Sequence, residues 1–68
     1  MKNGFKTIYS VNDGQGSALE IRITPSRVHM VSVVEGEDQE TLYDMPRTAA
    51  NTATLRAYAD DMLADHIA

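Results

Sequence analysis

The chain has no cysteine and no tryptophan, a single phenylalanine, two prolines and no apolar run long enough to cross a bilayer. Each absence excludes something. Without cysteine there are no disulfides and no thiolate metal site. The two histidines, His29 and His66, are too few for a histidine-only metal cluster, and no metal or cofactor is expected. With so few aromatic residues, the core must be built from Val, Ile, Leu, Met and Ala. The opening residues 1–6 lack the apolar stretch of a secretory signal, so a cytoplasmic home is expected and no membrane association.

What is present fits one folded domain spanning residues 1–68, 43% hydrophobic. A domain of this length buries only about 60% of the surface its unfolded chain exposes, so its stability is marginal unless something supplements the core. With disulfides and metals set aside, self-association or docking on a partner is the remaining supplement. Ten acidic residues against six basic give a net charge of −4, and no basic run interrupts the balance. Long-range repulsion from phosphates then disfavours direct nucleic-acid binding.

Alternation and turn chemistry divide the chain. Residues 5–11 read as a strand with Phe5, Thr7, Tyr9 and Val11 on one side and Lys6, Ile8 and Ser10 on the other. Asn12 to Ser17 is a cluster of turn formers. Residues 18–24 alternate cleanly, Leu19, Ile21 and Ile23 against Glu20, Arg22 and Thr24. Pro25-Ser26-Arg27 makes a tight turn. Residues 28–34 are apolar on both faces, and residues 39–43 return as a short edge strand after a charged turn. Thr48 is a good N-cap, and Asp44 with Pro46 near the first turn an alternative one, for an amphipathic helix over residues 48–66, with Leu55, Ala59, Met62, Leu63 and His66 on its apolar face. The expected fold is α+β: an antiparallel meander of three to four strands with one C-terminal helix across one face.

That architecture poses a question at the third strand. One helix covers one face of a sheet, yet Val28, Met30 and Val34 point one way and Val31 and Val33 the other. Either strand twist, Tyr9 or Tyr43 and long polar side chains together close the second face, or Val28, Met30 and Val34 belong to an apolar interface with a partner or a second copy. The small core favours association.

No catalytic constellation emerges. The glycines of the first turn precede a strand, not the helix and lysine that a phosphate loop requires. Ser10, Ser17, Ser26 and Ser32 have no nucleophile elbow and no assignable base. Two acidic clusters stand out instead. Glu35, Glu37, Asp38 and Glu40 surround a turn, and Asp60, Asp61 and Asp65 crowd the helix C-terminus. There the helix dipole disfavours each negative charge by roughly 0.3–1 kcal/mol, so helix stability does not account for them. Solubility does, and so does recognition of a basic partner.

In size, charge and apparent layout the whole chain resembles the small acidic proteins of bacteriophages and mobile elements, anti-CRISPR inhibitors among them. The resemblance implies a non-catalytic inhibitor whose partner is a basic, nucleic-acid-handling complex, met by those acidic side chains. The alternative is a homodimeric structural or regulatory module. Pairing two copies gathers Lys6, Arg22 and Arg27 into a basic patch for nucleic acid.

Overall fold

Each reversal of the chain is made by residues suited to it. In the computed structural model, which describes residues 4–67 and side chains as far as residue 64, four strands precede one helix. They are β1 (Lys6–Asn12), β2 (Ser17–Ile23), β3 (Arg27–Val34) and β4 (Glu37–Pro46), followed by α1 (Ala49–Ile67). The strands pair antiparallel in chain order, so the expected meander-plus-helix α+β fold is the one observed.

Between β1 and β2, the Asp13 carboxylate accepts from the backbone N–H groups of Gln15 and Ser17 at 2.7 and 3.2 Å. Such side-chain capture of the backbone is why Asn and Asp initiate turns. Between β2 and β3, the Thr24 hydroxyl accepts from the Arg27 N–H at 3.0 Å, with Pro25 pre-set for the bend. The β3–β4 connection is a two-residue turn of Glu35 and Gly36, at φ 52° and 83°. Positive φ at both positions is the hairpin turn that matches strand twist, which Gly takes without strain and Glu does not.

Helix α1 starts as its capping residue dictates, with the Asn51 N–H donating to the Thr48 hydroxyl at 3.0 Å. It runs back over one face of the sheet and buries Leu55 and Ala59 against Ile21, Val28 and Met30. Tyr9, Val11, Leu19, Ile23, Leu42 and Met45 pack around this centre.

Two departures from simple alternation matter for the surface. The register of β1 shifts between Thr7 and Tyr9. Thr7 therefore opposes Arg22 on the face away from α1, while Tyr9 opposes Ile21 beneath it. The expected grouping of Phe5 and Thr7 with Tyr9 and Val11 fails at this bulge. Strand β4 is longer than the expected 39–43 and carries two shifts, at Leu42 and Gln39. Each bulge inserts a residue that the partner strand does not match, resetting which face the next side chain takes.

The second face of the sheet is closed by its own side chains. Val31 and Val33 lie on it, yet each is only 6% exposed. Arg22, 9% exposed, spans β3 from β2 to the Asp38 carboxylate on β4. Glu20 accepts from Arg22 Nε and Nη2 at 3.0 and 2.8 Å, and from the Thr7 hydroxyl at 3.2 Å. The Phe5 ring stacks on the guanidinium, 4.6 Å from its carbon. Long polar side chains with apolar stems thus make the layer that a second helix would otherwise supply, whereas Tyr9 and Tyr43, expected as cover, oppose Ile21 and Met30 on the helix side.

Candidate functional site: an acidic-rimmed apolar strip

The bulges of β4 sort the first acidic cluster. Directly opposed residues of an antiparallel pair project to the same face. Asp38 opposes Val33 on the face away from the helix and is taken up by Arg22. That ion pair holds the Asp38 carboxyl below the usual carboxylate range. Glu37 opposes Val34 and Glu40 opposes Ser32, so both leave the strand on the helix side. Glu35 sits at the turn itself, its Cγ 3.3 Å from where a side chain on Gly16 would begin.

The helix acids divide in the same way. Asp60 accepts a 2.6 Å hydrogen bond from the Tyr9 hydroxyl, while Arg56 stacks over the same ring at 4.5 Å. This clasp fastens α1 to β1, and the Asp60 carboxylate raises the Tyr9 pKa above its ordinary value. Asp61 lies three residues beyond Tyr58, about 60° round the helix from it, on the exposed side away from Ala59. Asp65 and His66 fall beyond the residues whose side chains are described. Among the described residues, no donor reaches the side chains of Glu35, Glu37, Glu40 or Asp61.

Between Glu37, Glu40 and Asp61 runs a strip of half-exposed apolar side chains. Tyr43 on β4 meets Tyr58 on α1, ring centroids 5.2 Å apart. Met62 follows Tyr58 by one helical turn, and Met62 and Val34 line the same cleft at the end of the helix. The four are 39–40% exposed, so the strip remains accessible in the folded chain. Its cleft has a volume of about 260 Å³ and is walled mainly by Val11, Leu19, Val34, Met62 and Leu63.

Of the expected apolar interface, Val28 and Met30 are completely buried beneath α1 and have no area to offer a partner. Only Val34 reaches the surface, because the row of β3 runs out from under Leu55 and Ala59 toward the turn. The strip also includes two residues that the sequence did not single out as a site, Tyr43 and Tyr58. Their signal was faint: two of three tyrosines, one on an edge strand and one flanking the helix's apolar face.

The basic residues are mostly consumed internally. Arg27 Nε donates to Asp44 at 2.8 Å, with His29 Nδ1 3.5 Å from the same carboxylate oxygen. Arg47 donates to the Thr24 carbonyl. With Arg22 and Arg27 both paired to carboxylates, two of the three residues of the supposed basic patch are already neutralised. Among the described residues no group of His, Asp and Glu is placed to hold a metal ion, and no helix is long and apolar enough to cross a membrane. No protein-family model, curated protein or solved structure matches the chain.

Proposed function

We propose that this is a non-catalytic interaction protein that binds a basic surface of another protein through the strip at the α1–β4 junction. One observation carries the reading. The carboxylates of Asp38, Asp44 and Asp60 are bound within the fold, whereas those of Glu37, Glu40 and Asp61 flank exposed Tyr43, Tyr58, Met62 and Val34 with no described partner. Aromatic and methionine side chains supply contact area at interfaces, and complementary charge sets register and speeds encounter.

The resemblance to phage-type inhibitors makes a nucleic-acid-handling complex the fitting partner, its basic groove occupied by this acidic edge. A second copy fits less well, because symmetric pairing sets the Glu37, Glu40 and Asp61 rims against each other. The test is comparative affinity capture from cells that make the protein. One variant carries Glu37→Gln, Glu40→Gln and Asp61→Asn; a control carries Ser10→Lys, Gln15→Lys and Ser26→Lys, which changes net charge equally but elsewhere. Partners that the first variant loses and the control retains support the reading. Partners lost equally from both, or from neither, overturn it.

A further inference from the structure

A small residue of β3, Ser32, lines the cleft at the end of α1. Along the helix-facing row of β3, Val28 and Met30 are buried against Leu55 and Ala59, but the next position is Ser32. Its short side chain leaves open the space that a third large residue would occupy beneath Met62 and Leu63. The resulting volume, about 260 Å³, is several times the roughly 30 Å³ that one water takes up. It falls just short of the ~300–1,000 Å³ typical of small-molecule pockets. Its walls are mainly aliphatic, with Asp13, Ser17 and Ser32 as polar lining. Glu37 and Glu40 stand beside it through their pairing with Val34 and Ser32.

Size, wall chemistry and rim charge together specify an occupant. We infer that the cleft is an anchor pocket for one large aliphatic or aromatic side chain of a partner segment, flanked in that segment by Lys or Arg that meet Glu37 and Glu40. This deepens the proposed function and rests on it. It also gives the interface a centre, since a well-packed buried anchor within a polar rim is where binding energy concentrates.

The experiment uses two pentapeptides, one with leucine between two pairs of arginines and one with alanine at the centre. Both are titrated at low salt into the full chain carrying labelled Met and Val methyl groups. The leucine peptide shifts the Met62 and Val34 methyl signals and binds roughly tenfold or more tightly than the alanine peptide. Ser32→Leu, which fills the cleft from within, removes that difference and leaves the charge-driven binding in place. Ser32→Val does the same with less bulk if leucine overpacks the site. Equal affinity for the two peptides overturns the anchor pocket while leaving the basic-partner reading standing. Failure of both peptides to bind overturns both. A leucine preference that survives filling of the cleft also overturns the pocket.

Discussion

Arg22 reaches across β3 to Asp38, its Nη1 and Nη2 donating to the two carboxylate oxygens at 2.7 and 2.8 Å. The bridge does more than pair charges. It lays the arginine stem and guanidinium over the open face of the sheet, where Val31 and Val33 would otherwise meet water. Arg22→Ala is therefore expected to lower stability by about 2 kcal/mol. Arg22→Leu, which keeps the cover and gives up the charge, is expected to cost less. Denaturant unfolding separates the two; equal losses would assign the effect to charge alone.

The same pair sets an acid limit. Asp38 has a lower pKa folded than unfolded, so its contribution is complete above the ordinary aspartate value of about 4. It is lost as pH falls through the folded value. The stability difference between the native chain and Asp38→Asn should thus stay level from neutral pH to about 4 and shrink below. Thermal unfolding followed by circular dichroism tests this, and a gap that persists unchanged into strong acid contradicts it.

The Tyr9–Asp60 clasp has an alkaline counterpart. Tyr9 has a higher pKa folded than unfolded, so its contribution holds below the ordinary tyrosine value of about 10 and fades as pH rises past it. Ultraviolet titration should show one tyrosine ionising late, and Asp60→Asn should bring it back toward the ordinary value. The Tyr9→Phe chain, lacking the late step, identifies the residue.

Helix attachment rests on few side chains. Leu55 has no exposed surface and sits at the centre of the core, so Leu55→Ala is expected to cost about 2–5 kcal/mol. In a domain this small that unfolds most molecules. Thr48→Ala removes the cap and costs about 1 kcal/mol. If Leu55→Ala melts like the native chain, the helix does not hold the core together.

Glu35 is the one non-glycine residue at positive φ among those described. Asparagine suits the first position of this turn better, so Glu35→Asn should raise stability by roughly 0.5–1 kcal/mol. A loss of stability instead would show that the Glu35 side chain contributes to the fold beyond the turn.

The element order was legible because each turn announced itself in Asx, Pro or Gly residues and the periodicity changed cleanly at Thr48. The faces of β2 and β3 followed from alternation alone. The faces of β1 and β4 did not, since a bulge carries no local signature when it falls at Ile8, Gln39 or Leu42. Those bulges decide which acids meet which surface. Asp38 and Glu37 are neighbours in sequence, yet one is absorbed by Arg22 and the other borders the strip. Nor could the sequence show that Arg22 seals the open face, because that contact spans sixteen positions and two strand pairings. The acidic surface was legible as composition, while its division into bound and unbound carboxylates is a property of register.

On the proposed function, the α1–β4 strip, and not the sealed sheet face, meets a partner. Site-specific photo-crosslinking in cells that make the protein tests it most directly, with the crosslinker at Tyr58 in one version and at Thr24 in the other. A discrete protein adduct from Tyr58 that is absent from Thr24, and that disappears when Glu37, Glu40 and Asp61 are neutralised, is the predicted result. The same adducts from both positions, or an adduct with a second copy of this chain alone, would contradict the account.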